Sequence, residues 1–186
     1  FNYVDSKVRD IAYQVKKEIE DYFAEKEGVL PFHWHNINLR VRSMPCKLEY
    51  VADWGRKILQ NIKGYLGTYS TLTKDIHINQ YLLETDNPGM LKSTIKHELM
   101  HSIQDGVGTL HNQPQWKYEA EAAMFSVDDF ENTDFIRTDK LLDYRNWTLD
   151  YIRHFGKKLM TSFKSGFKKL RKYFSEEELD GVLGFH

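Results

Sequence analysis

The chain contains the run His97-Glu98-Leu99-Met100-His101. Two residues four apart on a helix project from the same face, one above the other. Two neutral imidazole nitrogens at that separation can hold one Zn²⁺, which takes nitrogen, oxygen or sulfur donors. Glu98 leaves the helix beside such a metal, not toward it, and is placed to take a proton from a metal-activated water. A catalytic zinc uses three protein ligands, so one more is required. The pattern that adds a Gly three residues after the second His and a ligand three further on is absent, because those positions are Gln104 and Val107. The next candidates are Glu119 and Glu121 in Tyr118-Glu119-Ala120-Glu121-Ala122. If this segment is helical, Trp116, Ala120, Ala123, Val127 and Phe130 form its inward stripe. Glu119 then sits at the stripe's edge and Glu121 points away. Phase favours Glu119, with Glu121 as the alternative. A carboxylate at an apolar edge needs a partner, and a metal supplies one.

These residues need a scaffold, and hydropathy patterning predicts it. Apolar residues three and four apart predict a helix over 4–23, with Asp5 or Ser6 at its start. From Ile37 the period changes to two, as in a strand with one wet face. Residues 47–62 are ambiguous, and 54–62 reads as a short helix. A strand region opens at 64–68, a turn covers 71–74, and 75–81 alternates as a strand. The HExxH run lies in a helix over 90–104 that Gly106 and Gly108 end. Further helices are expected at 115–130, 139–144 and 147–173. The order is helix, strands, then helices, an α+β chain with its strands early.

With these residues in place, the chain resembles the zincin metallopeptidases, and within them the gluzincins. Their pattern is HExxH followed by a Glu on the next helix. Gly67-x-Tyr69 and the strand Asp75-Ile76-His77-Ile78-Asn79, just ahead of the helix, stand where small zincins carry the edge strand that pairs with a peptide. Glu119-x-Glu121-Ala122 is similar to a segment of ImmA/IrrE-like small zincins, in which the first Glu binds zinc. Thermolysin-like spacing would instead place the ligand at Glu121. The resemblance covers about 64–130 and implies a zincin-like domain acting as a zinc-dependent peptidase. It implies His97, His101 and Glu119 as zinc ligands and Glu98 as general base. The Asp or Asn expected at 123 is Ala123, so Asp105 or Asp128 is expected to orient a ligating His. Tyr118, His111, Tyr144 and His154 are the candidates for stabilising the oxyanion.

Composition narrows the alternatives. The 186 residues suggest one catalytic domain over 1–150 and a helical extension over 151–186 packed on it. Twenty-six Lys and Arg against 27 Asp and Glu give a net charge of -1, which argues against a wholly basic nucleic-acid binder. Neutrality is a cancellation, because an acidic stretch over 105–150 precedes 151–173, where eight Lys or Arg occur with no acid between them. That basic amphipathic segment can dock on the domain, touch an anionic membrane, or meet nucleic acid or a partner. No run approaches the ~20 apolar residues of a membrane-spanning helix. With one cysteine, Cys46, no internal disulfide and no Cys-rich zinc site can form, so any zinc is held by imidazole and carboxylate. The start at Phe1 carries no signal-peptide pattern, and a cytoplasmic location is the expectation. His33 and His35 in Phe32-His33-Trp34-His35 share a face if extended, a minor candidate for a separate metal site. The rival to a peptidase is a zincin-like module with latent or no activity, in a viral or phage assembly or a regulatory protein. A rival of another class is an interaction module whose basic helix binds membrane, nucleic acid or protein while zinc is purely structural. Intact Glu98 speaks against that one, since a structural zinc has no use for a base.

Overall fold

The computed structural model describes residues 1–27, 32–53, 56–85, 88–112 and 135–137, and the single positions 118, 119, 122, 125, 126, 175 and 177. Its elements are mixed α and β, as the hydropathy pattern requires. Strand β1 (Tyr3–Val4) leads into helix α1 (Arg9–Glu27). Strands β2 (Asn38–Arg42), β3 (Cys46–Asp53), β4 (Arg56–Gly64), β5 (Gly67–Tyr69) and β6 (Asp75–Asn79) follow. Then come α2 (Tyr81–Glu84), α3 (Pro88–Gly106), α4 (Thr109–Asn112) and β7 (Phe135–Arg137).

The four-stranded sheet has the order β1-β2-β6-β5, with β5 antiparallel at the edge and the other pairs parallel. Its register lines up Val4, Leu39, Ile76 and Tyr69 in one row. Val4, Leu39 and Ile76 of that row are buried, as is Ile78. Because side chains alternate across a strand, one face of the sheet is therefore apolar. Asn38, Arg40, Arg42 and His77 take the other face by the same alternation. The core continues through Ala12, Val15, Ile19 and Phe23 of α1 and Ile95, Leu99 and Met100 of α3. Helix α3 touches α1, β5 and β6. It starts on Pro88, whose fixed φ suits a first helical position. Nearly every residue from Met90 to Gln104 on its inner faces is buried, so it is a central helix and not a surface one.

Several expectations are corrected. The helix expected from residue 4 begins at Arg9, because Val4 is claimed by the sheet. Asp5 makes the turn between them, its carboxylate accepting from Lys7 N and its carbonyl from Val8 N. The short helix expected over 54–62 is instead strand β4, antiparallel to β3 in a hairpin where Asp53 faces Arg56. Pairing with β3 decides its conformation, and β7 adds a third, parallel strand that no pattern predicted. The strand expected over 75–81 stops at Asn79, whose side-chain oxygen accepts from Tyr81 N as α2 begins. The amide nitrogen of Asn79 donates to the carbonyls of Met44 and Tyr65, so this buried residue anchors two loops. The helices expected over 139–144 and 147–173 lie outside the described residues, and of the expected 151–186 extension only positions 175 and 177 are described. Among those described, no helix is long and apolar enough to cross a membrane.

Candidate metal centre

Helix α3 carries His97 and His101 one turn apart, their rings edge-to-face with centroids 4.7 Å apart. Their Nε2 atoms face each other at 3.1 Å. Glu119 comes from the helical pair Tyr118 and Glu119, which follows α4 in the chain. One Glu119 oxygen lies 3.2 Å from His97 Nε2 and the other 3.4 Å from His101 Nε2. Among the described residues, these three side chains form the one group whose donor atoms converge as metal ligands do, all within 4.8 Å of one another. Glu121 lies outside the described residues, so the comparison between the two carboxylates stops at the position of Glu119.

Packing explains why Glu119 arrives there. Ala122 and Phe125, one and two turns on, are buried. The Phe125 ring stacks on Phe23 at 6.0 Å and meets Tyr22 edge-on at 5.5 Å, both on α1. Ser93 Oγ on α3 donates to the Ser126 carbonyl. The segment is thus wedged against α1 and α3 and presents Glu119 to the His pair. The stripe expected from Trp116, Ala120, Ala123, Val127 and Phe130 lies outside the described residues. The buried positions that are described are Ala122, Phe125 and Ser126, none of which belongs to that expected stripe.

Glu98 is 8% exposed and is not a member of the converging group. Burial pushes its carboxyl up, opposed by the neighbouring His97 and His101. A carboxylate of raised pKa is suited to accept and return a proton near neutral pH. Gly67 on the edge strand sits against it. A Cβ added at Gly67 would come within 2.8 Å of Thr94 Cγ2 and 3.2 Å of Glu98 Cγ. Glycine is therefore what lets β5 run close beside Glu98. In His101, burial opposes a positive charge, but the Glu119 carboxylate bonded to it, the neighbouring Glu98 and the bond to Gln104 together outweigh this and lift the imidazole to about 9. Those same histidines hold Glu119 well below the ordinary carboxylate range, against the effect of its burial.

Asp105 does not orient His101, contrary to the expectation. Its Oδ2 accepts from Tyr69 Oη and Lys74 Nζ, each at 2.6 Å, and its Oδ1 lies 2.9 Å from His111 Nε2. This cluster clasps β5 and the following turn to the end of α3. The partner of His101 is Gln104, whose Oε1 lies 2.8 Å from His101 Nδ1. Three residues along a helix bring these side chains together, whereas four carry Asp105 toward β5. Asp128 lies outside the described residues. Of the oxyanion candidates, Tyr118 stands edge-on to His101 with ring centroids 5.7 Å apart, while His111 is engaged by Asp105. Tyr144 and His154 lie outside the described residues. His33 is exposed and His35 Nε2 is 3.9 Å from Asp105, so the two do not form a second metal group.

Gln104 and the Asp105 clasp were missed by sequence reasoning. Helical phase held the signal for Gln104, which stands one turn past His101. Comparison with family models, with curated proteins and with solved structures finds no match to this chain.

Proposed function

We propose that this chain is a zinc-dependent metallopeptidase with a zincin-like domain, in which His97, His101 and Glu119 hold zinc and Glu98 is the general base. The observation that carries the proposal is the convergence of two imidazole nitrogens and one carboxylate within 4.8 Å, with Glu98 buried beside them. The donor set fits the metal. Two nitrogens and one oxygen leave the fourth tetrahedral position open, as catalytic zinc needs, and no thiolate is required. Two Nε2 atoms held 3.1 Å apart beside a carboxylate make a concentrated site for a cation.

When bound, zinc lowers the pKa of a water molecule and polarises the scissile carbonyl. The remaining work belongs to the chain. Glu98 accepts a proton from the attacking water and delivers it to the leaving amine. Strand β5 is last in the sheet order, with one edge unpaired among the described residues. An extended peptide laid along that edge would add a strand by main-chain hydrogen bonds. Gly67 puts the edge next to Glu98, so a peptide bound there lies beside the base. Peptide or protein is thus the substrate class.

The test is Glu98→Gln, which keeps shape and removes the base. Incubated with a complex peptide pool and read by mass spectrometry, the wild-type chain should cleave. The variant should keep its zinc and lose activity by roughly 10²-fold or more. Cleavage at the wild-type rate by the variant would remove Glu98 from the mechanism. No cleavage by either, with zinc bound in both, would favour a zincin-like module without peptidase activity.

A further inference from the structure

His101 uses its two ring nitrogens in opposite directions. Nε2 faces His97 and Glu119, whereas Nδ1 faces Gln104 Oε1 at 2.8 Å. The other end of the same amide, Gln104 Nε2, donates to the Tyr118 carbonyl at 2.9 Å. This fixes the sense of the amide. Turned over, it would set its oxygen against the Tyr118 oxygen. An amide oxygen only accepts, so the proton of the bond to His101 sits on Nδ1. An imidazole with its proton there keeps a lone pair on Nε2, where the ligand atoms gather. Gln104 is fully buried, so water does not compete for either bond. Tyr118 immediately precedes Glu119 in the chain.

We infer that Gln104 is a positioning residue for the metal centre, fixing the ligating tautomer of His101 and tying the Glu119 segment to α3 with one side chain. The second and third ligands are thereby set by a common strut. The inference rests on the zinc reading above. Glutamine meets both demands, because it offers an acceptor and a donor at the right reach. Glutamate has only the acceptor, and leucine has neither.

Wild type, Gln104→Leu and Gln104→Glu are compared by zinc affinity, from competition with a chromophoric chelator, and by unfolding temperature with zinc and with EDTA. Gln104→Leu should bind zinc about 10- to 100-fold more weakly. Zinc should also raise its unfolding temperature less than it raises that of wild type, since ligand stabilisation follows affinity. A merely structural role would lower both forms alike. Gln104→Glu keeps the acceptor toward His101, and its affinity should lie closer to wild type than to Gln104→Leu. Equal affinity for zinc in wild type and Gln104→Leu overturns the inference and leaves the metal reading standing. Affinity in Gln104→Glu as weak as in Gln104→Leu overturns the tautomer half. Absence of zinc binding by wild type overturns the metal reading and this inference with it. If Gln104→Leu fails to fold, the ¹⁵N spectrum of zinc-loaded wild type decides. His101 Nδ1 should appear as a protonated nitrogen, and an unprotonated Nδ1 overturns the inference.

Discussion

Asp105→Asn should cost the chain about 2 kcal/mol of stability at neutral pH, and the cost should shrink in acid. The carboxylate is 4% exposed and holds Lys74, Tyr69 and His111 around it. Burial alone would raise its pKa, but those three hydrogen bonds and the Lys74 charge pull it from 3.8 to about 2. At about 1.4 kcal/mol per pH unit, that difference between unfolded and folded states is worth about 2 kcal/mol. The sign follows from the direction. A depressed carboxylate contributes fully above its unfolded value, near 4, and its contribution is lost as the pH falls toward 2. Urea unfolding followed by circular dichroism, with EDTA present, measures the gap between wild type and Asp105→Asn at pH 7 and at pH 3. The gap should be about 2 kcal/mol at pH 7, or roughly 5 °C in unfolding temperature, and smaller at pH 3. A gap below about 0.5 kcal/mol at pH 7, within the range of ordinary surface substitutions, would refute the reasoning. So would a gap that does not change with pH. Because Tyr69 lies on β5, the same variant should loosen the edge strand and raise KM for a peptide more than it lowers kcat.

Two further outcomes follow from the same geometry. Gly67→Ala places a methyl 2.8 Å from Thr94 Cγ2 and 3.2 Å from Glu98 Cγ, so β5 or Glu98 must shift. Thermal unfolding should show a loss of about 1–3 kcal/mol, with activity reduced beyond what stability explains; an unchanged unfolding temperature would contradict the close approach. Zinc affinity should rise with pH up to about 9, because the metal must displace the proton that Glu119 holds on His101. Chelator competition between pH 6.5 and 8.5 should show about a tenfold rise per pH unit, and a flat profile would contradict it.

What the sequence disclosed was what local periodicity controls. The alternation of Ile37 and Leu39, the apolar stripe of α1 and the one-turn spacing of His97 and His101 are all short-range. Each reappears in the structure as a buried face or a converging pair. Glu119 was expected from a helical stripe, Trp116, Ala120, Ala123, Val127 and Phe130, that lies outside the described residues. The described buried neighbours are Ala122, Phe125 and Ser126, which that stripe did not include. What depends on distant pairing was hidden. Ile58, Leu59 and Ile62 have a spacing that suits either helix or strand, and the hairpin with β3 chose strand. Val4 fits the helical period of α1, yet the sheet takes it through its pairing with Leu39. Asp105 meets Tyr69 and Lys74 across more than thirty residues, so no local pattern reports the clasp. Gln104 differs, since its bond to His101 is local; its donor bond to the Tyr118 carbonyl is what only the fold reveals.

The central claim is that His97, His101 and Glu119 hold one metal ion. Elemental analysis of the purified chain, beside His97→Ala and Glu119→Gln prepared identically, tests it most directly. Wild type should retain about one zinc per chain through gel filtration, and each variant should lose it while remaining folded by circular dichroism. Wild type without zinc, or variants that keep it in full, would contradict the account.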